Sequence, residues 1–287
     1  MKKNRPRASV KQMSGLFGKT RQAWYKAIKR TEQQQMQALL VVQKVKQIRK
    51  ELPHCGGRKL YYLLGDFLRR HQIKLGRDKL FALLSEHNLL IKRKKTRRTT
   101  FSYHHFRKYP NIIKKLEVVR PNQLWVSDIT YISLGASFAY LSLITDAYSR
   151  KIIGWSLQEN LSATGPLNAL SQALKQRNEG KSQPLIHHSD RGLQYCCNAY
   201  IEKLQGNKVK ISMTENGDPY ENALAERVHR TLKEEFLSYY FYFNYEEAQA
   251  AIDKAIRLYN HRRPHLSLAY QTPAAVHQEG EVFAYSV

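Results

Sequence analysis

The chain has few cysteines. Only three of its 287 residues are cysteine, and two of them, Cys196 and Cys197, are adjacent. So small a set cannot form a disulfide framework, and adjacent cysteines are poorly spaced for a structural zinc site. We therefore expect reduced thiols that serve as small apolar filler near the start of a helix.

Long apolar segments are also missing. The chain contains no run of about 18 apolar residues, the length that a membrane-spanning helix requires. Its lysine-rich N-terminus has none of the apolar core of a signal peptide. The sequence therefore predicts neither membrane insertion nor export, and the expected location is the cytoplasm.

Acidic residues are scarce in the first part of the chain. Residues 1–120 hold 32 Lys and Arg against 6 Asp and Glu, whereas residues 121–287 hold 16 against 17. The net charge of +25 thus comes from the front. Nucleic acid is the commonest partner for such a surface, because Lys and Arg release counterions condensed on phosphates. An anionic membrane surface is the competing partner.

Residues 1–30 are predicted to form a helix-turn-helix. Ser9 can cap a first helix, residues 17–19 make the break, and Thr20 can cap a second helix. Arg21 and Lys26 on that second helix would face a phosphate backbone or read bases. The alternative is an ordinary helical hairpin with a solvated basic face.

A second helical DNA-binding module is expected over residues 31–91. A long polar helix over residues 32–51 would lead into two helices that flank a turn at residues 73–76. This module supplies three further basic candidates for DNA contact, which are Arg58, Arg77 and Lys79.

Residues 92–120 are predicted to be a basic linker. Six of the seven residues 92–98 are cationic, and this set consists of Lys92, Arg93, Lys94, Lys95, Arg97 and Arg98. Such a run stays extended until it meets an anion, so we interpret it as a tether with affinity for DNA, with a merely solvated linker as the alternative. Aromatic residues interleaved with basic ones over residues 101–120 can stack on distorted DNA.

From Gln123 onward the pattern changes to short β-rich runs. Strands are expected over 124–132, 138–145, 151–157, 185–189 and 209–213, and helices over 164–177, 198–206, 222–237 and 245–260. This order predicts an α/β fold with a mixed five-stranded sheet and helices on both faces. We expect a catalytic core over residues 121–240 and a C-terminal helix and tail over residues 241–287.

Three acidic residues are the candidates for chemistry. Asp128 lies inside the first strand pattern, where a lone charge is costly unless something binds it. Asp190 ends the fourth strand, where ligands of α/β sheets collect, and Glu226 lies near the first turn of a helix. Oxygen-only ligands favour Mg²⁺ or Mn²⁺ over zinc, and two such ions would support in-line phosphoryl displacement.

Each acid taken singly also has an ordinary explanation, as a hydrogen-bonding group, a turn former or a surface acid. Other acids compete with them, namely Asp146, Glu215, Asp218 and Glu221. The pattern alone leaves Glu221 open as an alternative helix ligand.

Longer motifs around these acids resemble a known family. Residues 121–131 (PNQLWVSDITY), 188–195 (HSDRGLQY) and 212–226 (SMTENGDPYENALAE) resemble the three acidic motifs of the insertion sequence 3 family of transposases, in the protein of their second reading frame. The tail 259–268 (YNHRRPHLSL) with Thr272-Pro273, and residues 55–60 (CGGRKL), resemble further family segments. Glu221 and Thr214 stand where the family usually has Asp and Ser.

The resemblance implies an RNase H-like core of the retroviral-integrase type, with Asp128, Asp190 and Glu226 as catalytic metal ligands. It implies terminal inverted repeats as substrate, Mg²⁺-dependent DNA cleavage and strand transfer, and assembly as a dimer or higher multimer. The upstream-frame protein is expected as a fusion or separate partner, and the location is expected to be the bacterial nucleoid. The zinc module of retroviral integrases is absent from this sequence, so DNA binding should rest on helices.

Further basic or polar residues near the acidic motifs are candidates for DNA contact, with surface salt bridges as the alternative. They are Arg191, Asn222, Arg227, His229, Arg230 and Lys233, together with Arg263 and His265 if the tail folds back. Two other functions are open: a DNA-binding regulator without catalysis, which the intact set of three acids disfavours, and a ribonuclease of the same fold, which would need neither the helix-turn-helix nor the basic tether.

Overall fold

The first of the two units into which the chain divides forms helices and turns, with no strand among its described residues. This unit comprises residues 1–50 and 56–91, and the second comprises residues 51–55 and 92–287. The computed structural model describes residues 10–91, 107–135, 137–177, 183–215, 222–237 and 240–284. The predicted basic tether, Lys92 to Arg98, lies outside the described residues, as do Ser9 and residues 101–106.

The helices of the first unit follow the predicted order with one correction. They are α1 (Val10–Leu16), α2 (Arg21–Glu51), α3 (Gly57–Arg70) and α4 (Arg77–Glu86). Thr20 caps α2 as expected, because its Oγ1 accepts a hydrogen bond from the Ala23 N–H at 3.1 Å. The predicted break near residue 30 is wrong: α2 runs unbroken for 31 residues, since no Gly or Pro interrupts it.

Leucines spaced by one helical turn form the interior of this unit. Leu60, Leu64 and Leu68 are buried on one side of α3. The Arg49 guanidinium on α2 donates to the Leu89 carbonyl oxygen at 2.6 Å, beyond the end of α4. These contacts join α2 and the helix pair into one small module.

The second unit is organised around a mixed five-stranded sheet. Its strands are β1 (Leu124–Leu134), β2 (Ser137–Asp146), β3 (Ile152–Gln158), β4 (Leu185–Ser189) and β5 (Val209–Met213), in the spatial order β3-β2-β1-β4-β5. The first three strands pair antiparallel, while β4 pairs parallel with β1 and β5 pairs parallel with β4. The predicted fold class is therefore observed.

Helices cover both faces of this sheet, as its alternating buried side chains require. Trp125 points to one face and packs in a core with α5 (Thr164–Gln176) and α7 (Asn198–Gly206). Leu124 and Val126 point to the other face and pack against Ala225 of α8 (Ala223–Leu232). A short helix, α6 (Leu193–Cys196), precedes α7.

The C-terminal elements pack onto the sheet. A π-helical turn (Lys233–Leu237) continues α8, and α9 (Tyr245–His261), a 3-10 turn (Leu266–Leu268) and α10 (Pro273–Ala284) follow. The Asn260 side chain accepts from the Ile152 N–H and donates to the Ile152 carbonyl, both at 2.9 Å. Arg263 donates two hydrogen bonds to Glu235, at 2.8 and 2.6 Å. The tail motif is thus held against β3 and the π-helical turn.

Cysteine behaves as expected in the described structure. All three thiols are free; Cys55 and Cys196 are buried and Cys197 is half-buried. Cys196 belongs to the core formed with α5 and α7, which confirms its role as apolar filler.

Candidate active site

Asp128 lies in the middle of the central strand. Side chains alternate along a strand, so Asp128 points to the same face as Leu124 and Val126, toward α8. Its side chain retains 22% exposure. One carboxylate oxygen accepts a hydrogen bond from the Ile129 N–H at 2.8 Å. A half-buried acid in an apolar strand is costly unless a cation or hydrogen bonds offset its charge.

Asp190 follows directly after the neighbouring strand. The parallel ladder of β1 and β4 pairs Val126 with His188, and Asp128 and Asp190 each lie two residues beyond this pair. The Gly192 N–H donates to Asp190 Oδ1 at 3.0 Å, which orients that carboxylate. The two acids therefore project from adjacent strands at the same end of the sheet.

Glu226 approaches from the helix that covers this face. It lies in the first turn of α8 and its side chain is half-buried. Its backbone N–H donates to the Asn222 carbonyl at 3.2 Å, so the residue belongs to the first hydrogen-bonded turn. α8 packs on β1 and β2, and this packing turns the Glu226 side of the helix toward Asp128.

The electrostatics connect the three acids. The pKa of Asp128 is raised to about 8, mainly by burial, then by the charge of Asp190 and to a smaller extent by that of Glu226. The Ile129 N–H and the Lys233 ammonium oppose this shift by stabilising the carboxylate. Because both neighbouring carboxylates disfavour the ionisation of Asp128, a cation bound at this site would relieve the repulsion.

Two buried side chains hold this part of β1 in place. His229 Nε2 lies 3.1 Å from the Asp128 carbonyl oxygen and 3.8 Å from its carboxylate. Burial lowers the pKa of His229 to about 3, so the imidazole is neutral and donates through Nε2. The Asn222 amide donates to the Ser127 carbonyl at 3.1 Å. The backbone on either side of the first acid is thus fixed from α8.

A lysine lies at the open side of the site. Lys233 begins the π-helical turn, and its Nζ lies 4.2 Å from the centroid of the Tyr131 ring. Burial lowers the pKa of Lys233 to about 8, although the Asp128 charge opposes this. π-Helical turns are frequent at functional sites, and this one begins at Lys233.

The donor set is of the kind that binds hard divalent cations, because it consists of carboxylates alone. Within the described residues no group of three or more His, Cys, Asp and Glu is close enough to hold a metal ion. The three acids fit a divalent cation by ligand type and by mutual repulsion, and their side chains would have to converge further to ligate it.

The competing acids have other roles where they are described. Asp146 is fully buried, and its carboxylate accepts from Ser149 and from the Asn122 N–H at 2.7 Å. Glu215 pairs with Lys114 and accepts from the Asn111 N–H at 3.0 Å. Asp218 and Glu221 lie outside the described residues.

The predicted DNA-contact residues divide into exposed and buried groups. Arg21, Lys26, Arg58, Arg77, Lys79 and Arg230 are exposed, and Arg191 and Lys233 are half-buried. Asn222 and Arg263 are buried and bond to Ser127 and Glu235 within the protein. These internal bonds favour positioning roles over DNA contact for the latter two.

The sequence interpretation named His229 as a residue that could position the DNA end, but it did not predict the bond of His229 to Asp128. His229 lies three residues after Glu226, one helical turn further on the same side of α8. This spacing indicates that His229 and Glu226 lie on the same side of α8. The bond of His229 to Asp128, 101 positions earlier, depends on how α8 packs on β1.

Comparison with known proteins decides the family. Two family models for the integrase core domain match residues 118–219 and 207–273. The 31 kDa protein of insertion element IS600 from Shigella sonnei is 34% identical over 273 residues, which cover 93% of this chain and 98% of that protein. The transposase for insertion sequence element IS629 from Shigella sonnei is 32% identical over 208 residues, which cover 72% and 69%. The chain belongs to the insertion-sequence transposases with an integrase core.

The similarity extends to solved structures of integrases. The HTLV-2 integrase catalytic core domain in complex with magnesium aligns with 56% of this chain and 99% of its own length, at a TM-score of 0.45 and 20% identity.

The family predicted from the motifs is thus confirmed, together with the function, and the predicted α/β fold with a mixed five-stranded sheet is observed. The transposase is a DDE polynucleotidyl transferase that acts on DNA and depends on a divalent metal. The two alternatives, an inactive regulator and a ribonuclease, are not favoured. None of the helices in the described part of the chain is long and apolar enough to cross a lipid bilayer.

Proposed function

We propose that this transposase binds the terminal inverted repeats of an insertion sequence and uses Asp128, Asp190 and Glu226 to hold two Mg²⁺ ions. The observation that carries the proposal is the electrostatic effect of the other two acids on Asp128: it lies half-buried in the central strand, and both other carboxylates disfavour its ionisation. Mn²⁺ has the same ligand preference and is expected to substitute.

We also propose how the three acids divide between the two ions. Asp128, in the middle, would contact both ions, while Asp190 and Glu226 would each complete one. When bound, such a pair supplies charge that activates an attacking oxygen and stabilises the leaving oxygen of an in-line displacement. With water as nucleophile the reaction nicks DNA and leaves a 3′-hydroxyl; with that hydroxyl as nucleophile it joins DNA strands.

The protein's own groups position the reacting acids. His229 and Asn222 hold the backbone of Asp128 and Ser127 by hydrogen bonds from α8, so Asp128 is orientated before DNA arrives. Preorganised groups accelerate a reaction because no reorganisation is required at the moment of the chemical step. Lys233 places a cation beside Asp128, where a DNA phosphate would approach.

DNA binding is proposed to extend over the basic front of the chain. Three groups of cations would contact the phosphates of transposon ends and target. They are the exposed residues of α2, α3 and α4 (Arg21, Lys26, Arg58, Arg77 and Lys79), the run from Lys92 to Arg98, and the pair Arg191 and Arg230. We propose a dimer or higher multimer, which would bring two transposon ends together on one target. The upstream-frame protein is a proposed partner, and the bacterial nucleoid is the proposed place of action.

The test is strand transfer of a pre-cut inverted-repeat oligonucleotide in Mg²⁺. We expect wild type to join ends, while Asp128→Asn, Asp190→Asn and Glu226→Gln each still bind the oligonucleotide in gel retardation but do not join it. Glu221→Gln is the matched control, since Glu221 is the nearest competing acid in the sequence, and it should join ends as wild type does. Joining by the three variants at the wild-type rate would show that these acids are not the site.

A further inference from the structure

Large aromatic side chains are exposed at the far end of the catalytic strand. Four of them, Tyr131, Phe138, Phe241 and Phe243, form what we name the aromatic face. Phe241 is 65% and Phe243 77% exposed, and Tyr131 and Phe138 are also exposed. Exposed aromatic residues normally occur singly, so a group of four requires an explanation.

The strand register places these rings on one side of the sheet. Leu134 of β1 forms a parallel bridge with Tyr242, and both side chains are buried. Phe241 and Phe243 flank Tyr242 and therefore point to the opposite, exposed side. On the same side, Tyr131 alternates with the buried Ile132, and Phe138 lies opposite Ser133 in the β1–β2 ladder.

The rings are already ordered as two pairs. Phe241 and Phe243 have centroids 5.0 Å apart at an interplanar angle of 72°. Tyr131 and Phe138 have centroids 5.5 Å apart at 88°. Edge-to-face pairs hold each ring in a fixed orientation and leave one face of a ring open to a further planar group.

The aromatic face begins close to the acids. Tyr131 and Leu134 lie three and six residues beyond Asp128 on the same strand, which corresponds to about 10 and 20 Å at roughly 3.3 Å per residue. Stacked nucleotides advance about 3.4 Å each along one DNA strand. Tyr131 is an odd number of residues from Asp128, so its ring points to the opposite face of β1. A DNA strand that passes Asp128 would therefore reach the aromatic face around the edge of β1 that lies beyond its pairing with β4, next to Lys233.

Charge favours a nucleic acid as the occupant. The Lys233 ammonium lies over the Tyr131 ring at 4.2 Å from its centroid and also acts on Asp128. The same cation thus borders both the acids and the aromatic face. Cations beside stacking rings are the combination that binds unpaired DNA, because bases stack on the rings while phosphates meet the cation.

We propose that the aromatic face stacks unpaired bases of the DNA strand that passes the acids. This inference rests on the proposed function, because it takes transposon-end DNA as the ligand. It assigns to the face the role of holding a few melted nucleotides beside the scissile phosphate, with little preference for base identity since every base offers a planar surface.

The first test measures affinity for two inverted-repeat duplexes, one fully paired and one with four unpaired nucleotides at the cleaved end. The protein carries Asp128→Asn throughout, so binding is measured without chemistry and failure of the proposed catalysis is seen separately. Replacing Phe241 and Phe243 together by Leu is expected to weaken binding of the unpaired end by about tenfold and to leave the paired end unchanged. Replacing both by Trp should preserve binding.

Leu266→Ala is the matched control, because Leu266 is also exposed and lies in the C-terminal tail; its affinity for both duplexes should equal that of the parent protein. Equal affinity of the Leu and parent proteins for the unpaired end would overturn the proposal. So would a Trp variant that behaves like the Leu variant, since stacking requires a ring.

A second measurement locates the bases. 5-Iododeoxyuridine, placed singly at each of the six nucleotides on either side of the scissile phosphate, should crosslink on irradiation to Phe241, Phe243 or Tyr131. Crosslinks that map only elsewhere would overturn the proposal. If the Leu variant also sediments as a smaller species than the parent, the face is a contact between copies of the chain and does not bind DNA bases.

Discussion

At the scale of single residues, Asp128 depends on groups that cannot be recognised from its immediate sequence. Ionisation of its carboxyl is disfavoured by burial and by two other acids, and it is favoured by one backbone N–H and one lysine. Such an acid is poised to exchange a proton for a metal ion, because either event removes the uncompensated charge. The groups that orient it therefore matter as much as the acid itself.

His229 is the residue whose loss should show this dependence. His229→Leu removes the hydrogen bond to the Asp128 carbonyl, and a buried acceptor left without its donor costs about 1–3 kcal/mol. If that cost falls on the reacting geometry, the single-turnover rate of strand transfer should fall about 5- to 150-fold. Binding of the inverted repeat should stay within about twofold, which is measured by gel retardation.

His229→Gln is the conservative comparison, since its side-chain amide can donate to the same carbonyl. It should recover most of the strand-transfer rate. A His229→Leu enzyme that joins ends as fast as wild type would show that the bond does not position Asp128.

At the scale of elements, the acids depend on close packing between strands and helices. β3 lies against α5 at Gly154, where an added Cβ would lie only 2.1 Å from the Ala169 carbonyl oxygen and 3.1 Å from the Ala173 Cβ. The obstacle is helix backbone, which cannot move aside as a flexible side chain can. The edge of the sheet therefore requires glycine at this position.

Gly154→Ala should accordingly destabilise the transposase. Overpacking of this kind costs about 1–3 kcal/mol, and the urea midpoint of the transition that unfolds the sheet should fall with an unchanged slope. The matched control is Gly206→Ala at the end of α7, where no atom lies within 4 Å of the added Cβ.

The control substitution should leave stability unchanged or raise it by about 0.4–1 kcal/mol, because alanine restricts the unfolded chain. Equal midpoints for the two variants would contradict the packing of α5 on β3.

At the scale of the whole molecule, positive charge is separated from the catalytic core. The first 120 residues carry the entire excess, and residues 121–287 are nearly neutral. A neutral core can bury acids beside one another, while a basic front supplies affinity for DNA that does not depend on sequence. Residues 1–120 should therefore determine most of the salt dependence of DNA binding.

Substitutions in the cationic run from Lys92 to Arg98 would measure how much this run contributes to the salt dependence of DNA binding. Replacing its six Lys and Arg by Gln should reduce the slope of log K against log salt by up to about 5, since each phosphate contact contributes about 0.9. Lys208→Gln with Lys210→Gln, two exposed changes next to and on β5, should not alter the slope. If the six-residue variant keeps the wild-type slope, the run is a solvated linker and does not bind DNA.

Local patterns in the sequence were sufficient for the elements of the core. The predicted bounds of the strands at 185–189 and 209–213 and of the helix at 198–206 agree with the structure, because alternation and helical spacing are properties of neighbouring residues. The short helix α6 and the terminal helix α10 were not predicted, and α2 was divided in two. The errors fall where the pattern is brief or weakly amphipathic.

The sequence by itself determined the fold class, the family motifs and the three acids as candidates, since a charge within an apolar strand and acids at a strand end and a helix start are visible without coordinates. Only the tertiary structure decided that His229 bonds to Asp128, that Asn222 and Arg263 bond within the protein, and that Lys233 lies over Tyr131. The reason is physical: these contacts join residues up to 102 positions apart, and their geometry follows from how α8 and its π-helical turn pack on β1, which local spacing does not encode.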